Sequence, residues 1–399
     1  MFNLRLKEKL MTVEIVDHKE RIRIPVIFFA IYISLNLYQV EGVGTVVAFA
    51  LLMMIIISSF ASGMVNFRSF KMPGESKLLF LFLLYSSMIM FMRTGLQDVY
   101  LKYAAQIILC IIMFNFSINS REYSFIKNVF LVITVLFSIE AIRYCVTNAA
   151  TRYYHGRIGI LGVLFDPNFV GIPFIAASII LLDNVLRGKR RALSIVGLLI
   201  IYVTIVYSAS RGNFLSLFIS NALVAINYLR DSKTKSWRKI GVFLIGCVAA
   251  YFLITYFANN FVSAWQRMTS INLDNDNGRF LLWEYSLKLF QEHPIFGNGI
   301  RAMYISFGKA SHNTYLQLLV EDGAIGFIIF ICFWIRMAVK SIRKDYLIGI
   351  ILICLSIQVF FLDALDSRCV WGLMCWAAML IGDKTTNDKV SETSYKVIV

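Results

Sequence analysis

Three short segments carry residue types that could hold and transfer a charged group. They are Ser210-Arg211-Gly212, Gly278-Arg279-Phe280-Leu281-Leu282-Trp283 and Ser311-His312-Asn313-Thr314-Tyr315-Leu316. An arginine offers an anion a fixed fork of donors. The free N–H groups at a helix start add positive potential. Arg211 opens an apolar run, and Arg279 opens a helix read over 279–291, in which Glu284 and Lys288 stand four apart. Cations ordinarily favour the other end of a helix, so a visiting anion would explain both placements. An interfacial anchor explains Arg211 equally well, and a solvated surface position explains Arg279. Ser311 reads as the N-cap of a helix that places His312 in its first turn. There the helix dipole favours a neutral ring able to accept a proton, although a structural histidine fits the same position.

Weaker signals surround these three. Phe165-Asp166-Pro167-Asn168 is ordinary turn and helix-start chemistry, with proline at a first helical position. Arg152, His155 and Arg157 precede it and could add to a basic funnel. Glu321 follows His312 by nine residues, roughly 13.5 Å along a continuous helix and on the opposite face, so it is not expected to orient the ring. Asp363 and Asp366, with Arg368 beside them, could face the same cavity or form a structural ion pair. No metal is expected, because His155, His293 and His312 lack partners at ligand spacing. Neither a Walker loop nor a dinucleotide fingerprint is present, so no nucleotide cofactor is expected.

The elements that must position these residues are membrane helices. The chain has 399 residues, 58% hydrophobic and 16% charged, with mean hydropathy +0.70. A soluble domain carries about a quarter charged residues, so soluble globular folds are excluded. The apolar runs predict an all-α integral membrane protein with about twelve transmembrane helices. The spans are 25–40, 43–66, 77–92, 98–116, 123–146, 169–186, 192–209, 212–229, 240–258, 312–335, 346–362 and 369–382. Basic residues fill alternate connections, from Arg21 and Arg23 through Arg187 to Arg191 and on to Arg336, Lys340, Arg343 and Lys344. By the positive-inside rule those connections, and both termini, are cytoplasmic. The same rule absorbs most of the net charge of +15, and nucleic acid is not an expected partner.

The expected organisation is a cytoplasmic segment 1–24, one polytopic membrane domain 25–382 and a polar cytoplasmic tail 383–399. Its long outer loops cover 147–168 and 259–311, the second holding the 279–291 helix between the ninth and tenth spans. The first apolar run lacks a small-residue cleavage site and reads as a retained helix. Seven cysteines show no paired spacing, so no disulfide framework is implied.

The order of an SRG turn, then GRFLLWEYSLKLFQEHPIFGNGI, then SHNTYLQLLVEDGAIGF, with the DPN turn upstream, closely resembles the O-antigen polymerase and O-antigen ligase family. The resemblance covers about 155–330. It implies a bacterial inner-membrane glycosyltransferase that takes a glycan from undecaprenyl diphosphate at the periplasmic face. Carried over by motif, Arg211 and Arg279 would hold the diphosphate and His312 would engage the acceptor hydroxyl. Arg157, Asp166, Asn168, Asn313, Tyr315 and Trp283 would line the diphosphate and glycan site. Trp283, Tyr304 and Tyr315 could stack on sugars or serve as interfacial belt residues.

A polymerase of lipid-linked repeat units, building O-antigen, capsule or exopolysaccharide, is the first expectation. A ligase onto lipid A–core is the alternative. Membrane lipid, a chain-length regulator and a flippase of the same pathway are the implied partners. A twelve-helix flippase or transporter is the rival from another class. The halves of the chain differ in loop pattern, and Lys102, Glu140 and Arg143 are its only strong intramembrane charges, all near span ends.

Overall fold

The structure is a computed structural model. It describes residues 21–35, 43–65, 70–148, 158–208, 210–230 and 278–382, with isolated residues 236, 240, 241 and 255. The expected span 240–258, the tail 383–399 and the basic residues Arg152, His155 and Arg157 lie outside these segments, apart from the isolated positions.

The described chain is helical, with one two-stranded hairpin. In order, the helices are α1 (Ile24–Leu35), α2 (Val43–Ala61), α3 (Gly74–Arg93), α4 (Asp98–Met113) and α5 (Ser120–Thr147). The hairpin of β1 (Ile158–Ile160) and β2 (Val163–Phe165) follows, paired antiparallel. Next come α6 (Pro167–Arg187), α7 (Arg191–Ser208), α8 (Arg211–Arg230), α9 (Arg279–Glu292) and α10 (Ala302–Phe307). The chain continues with α11 (Thr314–Lys344), α12 (Tyr346–Gln358), a 3₁₀ turn (Val359–Phe361) and α13 (Arg368–Gly382). Six of these helices (α3, α5, α6, α7, α8 and α11) are long and apolar enough to cross a membrane.

Helix boundaries follow local chemistry. Asn119 caps α5 in a reciprocal box with Glu122, and Asp166 caps α6 ahead of Pro167. Gly188 closes α6 in the left-handed conformation that suits glycine. The centre of the bundle is α6, α12 and α13, which are buried nearly all round; Trp371 and Trp376 of α13 are 1% and 0% exposed.

One end of the bundle is held by charged contacts between distant segments. Glu75 at the start of α3, its side chain fully buried, accepts from Arg336 at 2.9 Å and Lys340 at 2.7 Å. Glu122 accepts from Arg23 at 2.6 Å. Asp183 pairs with Arg187 at 2.7 Å and also meets the Tyr346 hydroxyl, while Tyr123 donates to Asp345. Arg23, Arg187, Arg336 and Lys340, from three separate basic connections, are thus gathered at one end.

α11 is not the continuous helix that its sequence suggests. Gly323 takes φ 66° and ψ −172°, a conformation open essentially to glycine alone, and breaks the helix there. The connection 294–299 fills the break. Asn298 N–H donates to Val320 O at 2.8 Å and Gly299 N–H to Glu321 O at 2.9 Å. Ala324 N–H donates to Pro294 O at 2.9 Å. Gly297 and Gly323 meet so closely that a Cβ on Gly297 would stand 2.6 Å from the Gly323 nitrogen. The PIFGNG and EDGAIG segments are therefore two sides of one backbone clamp. Glu321 and Asp322 end the upper half of α11, 6% and 1% exposed. They are deeply buried acids in a helix long and apolar enough to cross a membrane, so Lys102, Glu140 and Arg143 are not the only strong charges within the bundle.

Candidate functional site

His312 stands just before α11, not in its first turn. Asn313 is the N-cap, its side-chain oxygen accepting from Tyr315 N–H at 2.9 Å and Leu316 N–H at 3.2 Å. Ser311 does not cap the helix, because its hydroxyl is used elsewhere: it donates to Asp363 Oδ1 at 2.5 Å. His312 is left with a left-handed backbone, φ 52°, outside the helix. The side chain is 48% exposed. Its backbone N–H donates to Asp363 Oδ2 at 2.5 Å, and its Nδ1 lies 3.8 Å from the same oxygen.

Asp363 is the residue that sequence reasoning left undecided. Burial holds its carboxyl above the usual carboxylate range, against the opposing pull of the Ser311 hydroxyl and the His312 N–H. The Thr314 hydroxyl donates to Leu362 O at 2.6 Å and accepts from Ala364 N–H at 3.0 Å, fixing the residues on either side. Asp366, three residues on, is likewise raised by burial.

Arg211 is exposed at the first position of α8. Its turn is tied to the DPN segment. The Ser210 hydroxyl donates to Asn168 Oδ1 at 2.5 Å and accepts from Asn213 N–H at 3.3 Å. Asn213 Nδ2 donates to Pro167 O at 2.8 Å, and Gln358 Nε2 donates to Asn213 Oδ1 at 3.3 Å. Gly212 lies against the 3₁₀ turn: a Cβ there would stand 2.8 Å from the Phe361 ring. Asp166, expected at the glycan site, accepts from Asn168 N–H at 2.8 Å as a helix cap.

Arg279 opens α9 as expected, preceded by Gly278 in the left-handed region. Glu284 and Lys288 form the expected pair at 2.6 Å. Leu282 and Leu289 pack with Met303 and Val320, so α9 lies along the upper half of α11. One turn after Arg279 on the same face, the Trp283 ring meets Phe360 edge-on with centroids 5.6 Å apart. Tyr315 also faces Phe360, at 6.3 Å, and its hydroxyl donates to Ser356 O at 2.8 Å.

These contacts share one destination. The SRG turn reaches Gln358 and Phe361, α9 reaches Phe360, and the SHN segment reaches Leu362 and Asp363. Residues 358–364 are thus the common floor for the helix starts that carry Arg211, Arg279 and His312. Arg157 falls outside the described residues. Asn168, Asn313 and Tyr315 are bound internally, each holding a helix start or the floor in place. Chemically, the arrangement offers two guanidinium groups at positive helix ends and an accessible imidazole backed by a carboxylate.

Residues 195–331, about a third of the chain, match the family model described as O-Antigen ligase. The match supports the O-antigen polymerase and ligase family, already indicated by the motifs. No curated protein matches the chain. The matched residues include Arg211, Arg279 and His312 and stop short of Asp363. With the apolar helices, the match supports a multi-pass membrane glycosyltransferase of ligase or polymerase type.

Proposed function

We propose, from this family relationship and the site's geometry, that the chain polymerises oligosaccharide repeat units carried on undecaprenyl diphosphate. The reaction takes place at the outer face of the bacterial cytoplasmic membrane. The observation that carries the reading is the His312–Asp363 couple on the floor shared with the Arg211 and Arg279 helix starts.

In the reaction, an acceptor hydroxyl oxygen attacks the anomeric carbon of the lipid-linked chain, with inversion. The carbon–oxygen bond to the diphosphate breaks, and the electron pair leaves with the lipid diphosphate. His312 takes the hydroxyl proton, and the Asp363 carboxylate holds the ring and favours the imidazolium that forms. Arg211 and Arg279 meet the charge that develops on the diphosphate. That leaving group is already a stable anion, so the transfer requires neither a metal nor a general acid.

Ligation of a finished glycan to lipid A–core or another acceptor uses the same chemistry and is the alternative. A strain lacking the gene distinguishes the two. Single capped repeat units identify a polymerase; free lipid-linked polymer with nothing on the final acceptor identifies a ligase. Purified protein given a defined lipid-linked repeat unit should lengthen it. Failure under both assays, in vivo and purified, would overturn the reading.

A further inference from the structure

A small cleft of about 30 Å³ lies beside the break in α11, lined by Ser86, Tyr103, Arg301, Gln317, Glu321 and Asp322 among others. It belongs neither to the His312 couple nor to the arginine pair. Asp366 reaches it from the far side of the floor segment. We infer that this cleft binds a monovalent metal cation of Na⁺ size through oxygens of Asp322, Glu321, Gln317 and Tyr103.

Several independent features converge on a cation. The upper half of α11 ends here, bringing the negative end of a helix to the cleft. Broken membrane helices use such ends to hold Na⁺. Two carboxylates follow one another at that end, both buried. Four side-chain oxygens in the lining have no hydrogen-bond partner among the described residues: Ser86 Oγ, Tyr103 OH, Gln317 Oε1 and Asp322 Oδ1. Tyr103 is 4% exposed and Asp322 1%, so these oxygens have no bulk water to turn to.

The neighbouring guanidinium does not supply the missing charge. Arg301 gives Glu321 only its backbone N–H, at 2.9 Å. Its side chain turns to Asp98, 3.3 Å away, and lies over the Tyr304 ring at 5.0 Å. The available ligands are all oxygen, which selects a hard cation. Among the described residues no three acidic, histidine or cysteine side chains converge as a metal cage. Glu321 Oε1 already accepts from the Arg301 N–H at 2.9 Å and Gln317 Nε2 at 3.4 Å, which leaves Asp322 as the main unspent charge and suits a monovalent ion. Its effect would be to hold the broken helix and the 362–367 segment together, and this inference stands whether or not the chain is a polymerase.

The test is ²²Na⁺ binding to the purified full-length protein in detergent, with choline chloride keeping ionic strength constant. Wild type should bind saturably, and Na⁺ should raise its unfolding midpoint by about 2–4 °C over choline. Asp322→Asn should abolish binding and remove the Na⁺ dependence of the midpoint. Tyr103→Phe should weaken binding about tenfold, and Gln317→Ala serves if Asp322→Asn fails to fold. Wild type without saturable binding, or Asp322→Asn binding like wild type, would overturn the inference and leave buried water as the partner of these oxygens. A response confined to Ca²⁺ or Mg²⁺ would overturn it too.

Discussion

The backbone N–H of His312 and the carboxylate of Asp363 meet at 2.5 Å, and the His312 ring nitrogen lies 3.8 Å from the same oxygen. One carboxylate thus binds the left-handed backbone of the histidine and stands beside its ring. His312→Ala should lower glycan transfer by about 10²–10⁴-fold while the protein still reaches the membrane. Chain-length analysis of the glycan, beside immunodetection in membranes, checks this. Full-length polymer from the variant would remove His312 from the mechanism.

Asp363→Asn tests positioning in a different way. Burial raises the Asp363 pKa, so its folded value lies above its unfolded value. Stability from this group is then fully present below the unfolded pKa and is lost as pH rises through the folded one. The variant should flatten the dependence of unfolding midpoint on pH across that window. It should also slow transfer, because the ionised carboxylate that supports the imidazolium is gone. A pH profile identical to wild type in both readouts would refute the coupling.

Arg211 separates charge from geometry. Arg211→Lys keeps the positive charge but loses the planar fork that matches a phosphate. Long glycan should disappear in Arg211→Ala and be reduced in Arg211→Lys. Equal polymer in wild type and both variants would return Arg211 to the role of interfacial anchor.

Gly212→Ala would put a methyl group 2.8 Å from the Phe361 ring, at the contact that seats the SRG turn on the floor. Overpacking of this kind costs about 1–3 kcal/mol. Activity should fall, and Phe361→Leu in the same chain should restore part of it. Additive losses in the double variant would show that the two residues act separately.

Gly323→Ala strikes the clamp. The residue sits at φ 66°, and its new Cβ would stand 2.5 Å from the Gly297 nitrogen. Strain of about 1–3 kcal/mol adds to the clash. Membrane levels and the unfolding midpoint should drop sharply, and Gly297→Ala should do the same. Because both lesions break one contact, their double variant should fall less than the sum of the two.

Much of the scaffold was legible because its signals are local. The helix read over 279–291 is Arg279–Glu292, and the DPN turn is the capped start of α6. The relations that build the site are not local. Asp363 lies 51 residues from His312, in a connection with no periodicity to mark it. Ser311 and Asn313 are both competent caps, and only the distant carboxylate that claims the Ser311 hydroxyl decides between them. The break at Gly323 was hidden because its backbone partners come from 294–299 and not from the helix itself. The hairpin at 158–165 and the six-residue α10 are too short to carry a periodic signal.

The break in α11 also separates two inheritances. Below Gly323, Arg336 and Lys340 bind the helix to Glu75 and the charged end of the bundle. Above it, the helix carries Asn313, Tyr315 and the cleft. In an unbroken helix, one inserted residue would rotate everything beyond it by about 100°. A glycine that resets the phase confines such a change to its own half. The two halves can therefore differ in phase, each aligned to its own partners, with 294–299 joining them.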